Sequence, residues 1–264
     1  MTRIQNTFET LKSENRKGLV TFIMGGDPDF ETSVEILKSL PHAGADLIEI
    51  GMPFSDPVAD GPVIQNAAIR ALENGMTLKK TIEMVRLFRE DNTSTPIVLM
   101  GYSNPIHAYG EKQFFEDIAD AGADGVIIVD TPPEESADLV AHAKDNHIDL
   151  VRLATPTTDL DRIGIITNNA SGFLYYVSIT GITGTASANT EQVSAHIEQL
   201  RTKTDLPIAI GFGIKTPQDA KTMGALGDAV VVGSALVNTI KETPKSEVVE
   251  TLHKQIVALS NALG

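Results

Sequence analysis

Residues 43–61 read Ala-Gly-Ala-Asp-Leu-Ile-Glu-Ile-Gly-Met-Pro-Phe-Ser-Asp-Pro-Val-Ala-Asp-Gly, and this stretch carries the strongest architectural signal in the chain. Its apolar run, residues 47–50, is too short and too branched for a helix and predicts a buried strand. Gly44 stands just before that run, where a helix would end, and a proline-rich loop follows it. The stretch is therefore typical of a helix end, a buried strand and an exit loop in direct succession.

An acidic residue, Glu49, lies inside the predicted strand, and Asp56 and Asp60 follow in the loop. Burial of an ionised carboxylate is costly, so such a group is usually paired, protonated or used in chemistry. One interpretation is that Glu49 is a core carboxylate neutralised by an arginine or lysine on a neighbouring strand. The other is that Glu49 is a catalytic acid, and the remainder of the chain favours this second interpretation.

The same joint recurs in Ala121-Gly122-Ala123-Asp124 and in Leu226-Gly227-Asp228, where a glycine again marks a helix end that favours a left-handed backbone. The predicted strands span residues 19–24, 46–51, 96–101, 125–130, 149–154, 173–178, 207–211 and 229–233. The predicted helices lie near residues 30–42, 62–90, 111–121, 134–146, 159–169, 190–203, 217–225 and 235–241. Strands and helices thus alternate from one end of the chain to the other.

Strict alternation implies a parallel sheet with right-handed crossovers, and eight units indicate closure into a barrel. The predicted fold class is therefore α/β, a (βα)8 TIM barrel. A polar helix near residues 3–15 precedes the first strand, and a tail helix follows at about residues 246–262. Since no linker or low-complexity tract divides the chain, we expect residues 1–264 to form a single catalytic domain.

Composition excludes several classes of function. The chain has 264 residues, the usual size of one such barrel, and 42% of them are hydrophobic. With 21 basic and 35 acidic residues its net charge is −14, which disfavours nucleic-acid and membrane-surface binding. It contains no cysteine, and no apolar run approaches membrane-spanning length. We expect a soluble cytoplasmic protein that holds any phosphorylated ligand with backbone amides rather than a basic patch.

Barrels of this kind work at the C-terminal ends of their strands, and two glycine motifs fall there. Gly211-Phe212-Gly213-Ile214 follows the seventh predicted strand, and Gly233-Ser234 follows the eighth. Such loops bind phosphate through amides at a helix N-terminus. The alternative is that these glycines only make tight turns, but as a pair in these two loops they favour a phosphate site.

Residues 178–190 are small, polar and spaced by glycine, which suits a mobile lid over a substrate. An idle flexible loop has the same composition. If the segment is a lid, Thr183 is the residue that we expect to hydrogen-bond a catalytic acid on closure.

Apolar and aromatic side chains cluster at or just beyond the predicted strand ends and suggest a flat, non-polar substrate beside the phosphate site. Each of them taken alone is better explained as ordinary barrel core. The set comprises Phe22, Met100, Tyr102, Ile127, Val129, Leu153, Tyr175 and Phe212.

The positions of the lysines and histidines disfavour two reaction mechanisms, Schiff-base catalysis and metal catalysis. A Schiff-base aldolase needs a lysine on a strand, and the nearest one, Lys215, lies in a loop. The six histidines lack metal-ligand spacing, so we predict surface positions for them and no metal site. Asp130 ends the fourth strand and is either a third active carboxylate or, as we favour, a turn residue. The residues indicate proton transfer on an aromatic phosphate ester.

Several segments, in chain order, resemble the tryptophan synthase alpha subunit family. They are Glu49-Ile-Gly-Met-Pro-Phe-Ser-Asp-Pro-Val-Ala-Asp-Gly-Pro62, Met100-Gly-Tyr-Ser-Asn-Pro105, Gly181-Ile-Thr-Gly184 and Gly211-Phe-Gly-Ile214. The resemblance implies cleavage of indole-3-glycerol phosphate to indole and glyceraldehyde 3-phosphate. It implies that Glu49 is the general acid–base and that Asp60 accepts the indole N–H. The implied phosphate-binding residues are Gly184, Gly213, Gly233 and Ser234, and the implied indole pocket is Phe22, Met100, Tyr102, Tyr175 and Phe212.

The resemblance also implies a partner, a pyridoxal-phosphate beta subunit in an alpha2beta2 assembly, with no cofactor in this chain. The implied docking surface includes Asp56, Asn104 and Pro132. One position departs from the pattern, because many family members carry arginine where this chain has Ile179. An apolar residue there puts in doubt how the predicted lid is latched and how strongly the partner controls it.

Physical chemistry makes two further predictions. The apolar strand should desolvate Glu49 and raise its pKa, while Asp60 on a more open loop should stay ionised.

Two other functions compete with cleavage of indole-3-glycerol phosphate. One is another phosphate-binding barrel that acts on an indole or sugar precursor, such as a ring-closing synthase or an isomerase. A ring-closing indole synthase would be expected to use a strand lysine. The other is a purely partner-binding regulator, which would be expected to lose both acids.

Overall fold

The computed structural model describes residues 2–177, 186–211 and 213–264. All strand pairs in its sheet are parallel, in the order β5-β4-β3-β2-β1-β9-β8-β7-β6. The strands are β1 Gly18–Met24, β2 Leu47–Gly51, β3 Ile97–Gly101, β4 Gly125–Ile128, β5 Asp149–Leu150, β6 Arg152–Ala154, β7 Leu174–Val177, β8 Ile208–Gly211 and β9 Ala229–Val232.

The predicted fifth strand, residues 149–154, closes the barrel. It is divided at Val151 into β5, which pairs with β4, and β6, which pairs with β7. Because β5 and β6 are consecutive in the chain, the two edges of the sheet meet, and the predicted α/β barrel is confirmed.

Twelve α-helices lie in the described residues, and three of them differ from the sequence-based expectation. The predicted helix 62–90 is wrong, because left-handed Gly75 ends one helix and Thr77 caps the next. A helix that was not predicted starts at Ser103, since its Pro105 lies in a first turn that tolerates proline. The helix expected near 190–203 begins at Ala186, within the segment predicted as a lid. The helices are α1 Arg3–Ser13, α2 Phe30–Ser39, α3 Pro62–Glu73, α4 Leu78–Arg89, α5 Ser103–Tyr109, α6 Glu111–Ala121, α7 Ala137–Asp145, α8 Leu160–Asn168, α9 Ala186–Arg201, α10 Pro217–Gly224, α11 Ser234–Glu242 and α12 Lys245–Ser260.

The aspartates of the repeated glycine motifs anchor the N-terminal ends of strands. Each accepts a backbone N–H from a neighbouring strand at 2.8 Å, and each pairs with an arginine. The donors are Leu19 for Asp46, Ile97 for Asp124 and Ile208 for Asp228, and the arginines are Arg16, Arg89 and Arg201. The repeat therefore places a buried or half-buried carboxylate wherever a strand start would leave an N–H without a partner.

The glycines of these motifs serve two different purposes. Gly44 and Gly122 have φ of 102° and 91°, as predicted for a left-handed helix end. Gly227 does not have a positive φ, so that prediction is wrong for it. An added Cβ there would lie 2.9 Å from the carbonyl oxygen of Ile208, and glycine is needed because two backbones approach closely.

The barrel interior is filled by alternate strand residues, and α1 covers its N-terminal end. Ile4 and Phe8 of α1 pack in one cluster with Leu47 of β2 and Val98 of β3. Side chains two residues apart on a strand point to the same face. Glu49 therefore points into the barrel above Leu47, toward the end that α1 leaves uncovered. No helix in the described ranges is long and apolar enough to cross a membrane.

Candidate active site

Glu49 is enclosed by protein, with 0% of its surface exposed. Removal from water, the only cause at work, raises the pKa of its carboxyl from 4.5 to about 8. Within residues 2–177, 186–211 and 213–264, neither carboxylate oxygen has a hydrogen-bond partner. The alternative of a core carboxylate neutralised by a cation is therefore not supported, and the group is protonated near neutrality with both oxygens available.

Tyr175, on β7, lies close to both predicted catalytic acids. The residue packs against the interior cluster and is half-buried. Burial raises the pKa of Tyr175 well above 10, and the charges of Glu49 and then Asp60 raise it further. Since charges act strongly only over short distances in a protein, the three side chains share one site.

Asp60 is held in the loop after β2 by Tyr102. The Tyr102 hydroxyl accepts the Ala59 N–H at 3.0 Å, and Gln65 of α3 donates to the Asp60 carbonyl at 2.8 Å. Burial raises the pKa of the Asp60 carboxyl, and a hydrogen bond from Tyr102 opposes that rise. The loop is thus less open than predicted, because Tyr102 and α3 partly cover it.

Two strand-end glycines make room for the aromatic side chains of the site. An added Cβ on Gly51 would lie 2.7 Å from Cζ of Phe22, and one on Gly211 would lie 2.7 Å from the Tyr175 hydroxyl oxygen. In the sequence, Gly211 is recognisable only as part of a predicted phosphate motif. Its packing role follows from the β7–β8 register, which only the structure provides.

The remaining pocket residues lie at the same end of the barrel. Phe22 pairs in register with Glu49 across β1 and β2, and Met100, next to last in β3, pairs in register with Gly51. Tyr102 is buried and its ring lies 5.4 Å from that of Phe54, a contact that the sequence analysis did not anticipate. Met100 and Tyr175 are half-buried rather than core residues, as expected of a pocket wall. Predicted residue Phe212 lies outside the described residues.

The predicted phosphate loops are partly described. Gly233 caps the N-terminus of α11 without a side-chain hydrogen bond, and exposed Ser234 is the first residue of that helix. Amide groups in this first turn have no partner inside the helix and suit an anion. Gly213 has φ of 64°, which favours glycine. Predicted residues Thr183 and Gly184, and the departure at Ile179, lie outside the described residues.

The residues that the family resemblance assigned to partner docking lie on three neighbouring loops. Asp56, Asn104 and Pro132 are all exposed and follow β2, β3 and β4, which are adjacent in the sheet. Their proximity to the Asp60 loop would place a bound partner beside the mouth of the barrel.

Asp130 and His196 both make hydrogen bonds that fix their side chains. Asp130 accepts hydrogen bonds from the Ser103 N–H at 2.8 Å and hydroxyl at 2.9 Å, which agrees with a turn role. His196 is not the simple surface residue that was predicted, since it bonds the Tyr176 hydroxyl at 3.1 Å and the Thr158 carbonyl at 3.0 Å. Over the described ranges, no cluster of three His, Asp or Glu side chains could hold a metal ion.

A groove of about 620 Å³ lies at the other end of the barrel, beside α1. Its lining includes Arg16 and Arg201, but these guanidinium groups are already paired with Asp46 and Asp228. None of the residues at the C-terminal ends of the strands lines this groove. The groove is therefore separate from the carboxylate site, which lies at the end of the barrel where enzymes of this fold carry out catalysis.

Comparison with known proteins agrees with this geometry. Residues 8–262 match the family model described as tryptophan synthase alpha chain. Tryptophan synthase subunit alpha from Legionella pneumophila str. Paris is 38% identical, with a TM-score of 0.93 over 100% of this chain and 98% of that one. A protein from Aquifex aeolicus VF5 is 37% identical, with a TM-score of 0.91 over 100% and 99% of the two chains. Tryptophan synthase from M. tuberculosis, in an open form with BRD0059 bound, is 28% identical, with a TM-score of 0.89 over 100% and 99%. Together with the closed α/β barrel, these matches show that the chain belongs to the tryptophan synthase alpha chain family.

Proposed function

We propose that Glu49 and Asp60 are the catalytic pair of the alpha-subunit reaction, the cleavage of indole-3-glycerol phosphate to indole and glyceraldehyde 3-phosphate. The observation that carries this assignment is the state of Glu49, a buried carboxyl with a pKa of about 8 and no partner among the described side chains. The charges of Glu49 and Asp60 both raise the pKa of Tyr175, which supports a single site.

In this proposal Glu49 acts first as an acid and then as a base. Its carboxyl proton is transferred to the indole ring carbon that bears the glycerol chain, which places a positive charge on the ring. The Glu49 carboxylate then removes the proton of the adjacent glycerol hydroxyl, the carbon–carbon bond breaks, and its electrons neutralise the ring. Glu49 ends protonated, so one residue near neutral pKa serves both transfers.

Asp60 has a different task because its environment differs. Its carboxylate would accept the indole N–H and stabilise the positive charge that the ring carries after protonation. Asp60 has to be ionised for this. Burial raises the pKa of its carboxyl, and the hydrogen bond from Tyr102 opposes that rise by favouring the ionised form. Two carboxyls with different degrees of burial thus divide the acid and anion roles.

We also propose how substrate and partner are held. Phe22, Met100, Tyr102 and Tyr175 would contact the indole, with Phe212 and Thr183 as further contacts, and the phosphate would bind at Gly184, Gly213, Gly233 and Ser234. Asp56, Asn104 and Pro132 would contact a beta subunit in an alpha2beta2 assembly.

In this family the alpha chain needs no cofactor, since pyridoxal phosphate belongs to the beta subunit. Membership in an amino-acid biosynthetic family supports a cytoplasmic location.

The competing ring-closing reaction has less support. It would be expected to use a lysine on a strand as general acid, and none of the described strands contains one. The cation that these strands do contain, Arg152, has its guanidinium hydrogen-bonded to loop residues after β4 rather than to the carboxylate site.

The direct test is to mix purified chain with indole-3-glycerol phosphate and follow indole across pH. Glu49 must start protonated, so kcat/KM should be steady up to about pH 8 and fall above it, by about tenfold per pH unit. At acid pH the rate should fall again as Asp60 takes up a proton. No indole release at any pH, with or without a beta subunit, would refute the function, and a rate that rises through pH 8 would refute the acid role.

A further inference from the structure

Arg152, on β6, is a buried cation that pairs with no carboxylate among the described residues. Only 5% of its surface is exposed, and in the described part of the chain no ion pair reaches it. Its Nε atom has no hydrogen-bond partner among the described residues. Burial lowers the pKa of its guanidinium, which reflects the cost of keeping the charge out of water.

All hydrogen bonds described for Arg152 go to the loop after β4. Its Nη1 donates to the Thr131 carbonyl at 3.2 Å, and its Nη2 donates to the Ser136 hydroxyl. The Ser136 hydroxyl in turn donates to the Pro133 carbonyl at 2.8 Å. We call residues 130–136 the docking loop, because it contains Pro132, the residue assigned above to partner contact.

The location of Arg152 is unfavourable for the stability of the barrel alone. Ser136 is the residue that precedes α7, so the guanidinium lies near a helix N-terminus, where the helix dipole disfavours a positive charge. The Ser136 side chain also makes no capping hydrogen bond to α7, since it is used by Arg152 and Pro133. The arrangement stabilises the loop at the expense of the helix start.

Two more contacts tie the docking loop to its neighbours. At its first residue, Asp130 bonds both the N–H and the hydroxyl of Ser103, which directly precedes docking residue Asn104. On its outer side, Glu134 forms an exposed ion pair with Arg162 of α8. Of the contacts made by Arg152, Asp130 and Glu134, only that of Arg152 comes from a buried side chain, and it holds the loop on the side that faces the protein interior.

We propose that Arg152 is a positioning residue that holds the docking loop, and with it Pro132 and Asn104, in the shape that a beta subunit recognises. This inference rests on the proposed function, because it concerns the proposed partner surface. None of the hydrogen bonds described for Arg152 goes to Glu49 or Asp60, so the role proposed for it is in docking and not in the chemical step. A preformed loop saves the ordering cost that a flexible one would add on binding.

The test uses Arg152→Met, which keeps length and removes the charge and its donors. The variant should bind a beta subunit at least about tenfold more weakly, the effect of losing a charged hydrogen bond, while its basal indole release stays at the wild-type rate. Amide hydrogen exchange of residues 131–136 should become faster in the variant. Arg162→Gln, which breaks only the exposed ion pair of the same loop, is the matched control and should bind like wild type.

The possible outcomes separate this inference from the function on which it rests. Wild-type chain that neither releases indole nor binds a beta subunit would refute the function and the inference together. Wild type that does both, with Arg152→Met equal to it in affinity, would refute the inference alone. Equal losses of basal rate and affinity would also refute it, since they indicate general damage to the barrel. If Arg152→Met does not fold, Arg152→Lys and Ser136→Ala should show the same selective loss of affinity.

Discussion

Glu49→Gln is expected to lower indole release by about a thousandfold, within the usual contribution of a general acid–base group. Glutamine has nearly the same shape and can fill the same space in the barrel, but it has no acidic proton to give to the ring carbon. Substrate affinity, measured by calorimetry with indole-3-glycerol phosphate, should change little because the phosphate and indole contacts remain. Turnover above about a tenth of the wild-type rate would remove Glu49 from the acid–base role.

A measurement of thermal stability shows whether Glu49→Gln is folded. It also tests whether burial raises the pKa of Glu49. In the unfolded chain Glu49 loses its proton near 4.5, whereas the folded chain keeps it up to about pH 8. The folded state binds more protons in that window, so this group lowers the free energy of unfolding as pH rises from 4.5 to about 8. Glutamine has no such penalty. Glu49→Gln should therefore unfold at a higher temperature than wild type at pH 8, and the difference should shrink toward pH 5. Exposed Glu242→Gln is the control and should show neither effect.

Asp60→Asn is expected to lower the rate of indole release by about a hundredfold, the usual effect of removing one preorganised electrostatic contact. The asparagine carbonyl can still accept the indole N–H, but it carries no charge to balance the cation that forms when the ring is protonated. The loss should appear mainly in kcat, because that charge exists only after the first proton transfer.

The neighbouring hydrogen bonds make Asp60→Asn a narrow change. Tyr102 and Gln65 hold the loop through the Ala59 N–H and the Asp60 carbonyl, which the substitution leaves in place. Asp205→Asn, on an exposed position at the groove beside α1, is the matched loss of charge and should retain full activity. Equal rates for Asp60→Asn and its parent would show that the charge-stabilising role is wrong.

The barrel and its acid pair were predictable because they depend on local patterns. The apolar run around Glu49 predicts a buried strand wherever it pairs, and the alternation of such runs with amphipathic segments requires parallel crossovers. Left-handed Gly44 and Gly122 follow from the same local logic. Helix boundaries were less predictable, since Gly75 inside a continuous amphipathic pattern can be tolerated or can end the helix.

The missed features depend on contacts between residues far apart in sequence. Asp60 receives a hydrogen bond from Tyr102, 42 positions later in the printed sequence. Gly227 is needed because of Ile208, and His196 is held by Tyr176 and Thr158. Arg152 reads in sequence as one polar residue in an apolar strand, and only its bonds to Thr131 and Ser136 reveal a link to the partner surface. Such pairings depend on the register of the sheet and the packing of the helices, and no local pattern encodes them.

The most direct measurement is a carbon-13 NMR titration of the Glu49 side-chain carboxyl, identified by the signal that disappears in Glu49→Gln. A proton donor shielded inside the barrel mouth should titrate with a midpoint of about pH 8. A midpoint near 4.5, the ordinary value for glutamate, would mean that the carboxyl is solvated or paired with a cation, and it would contradict the account of this site.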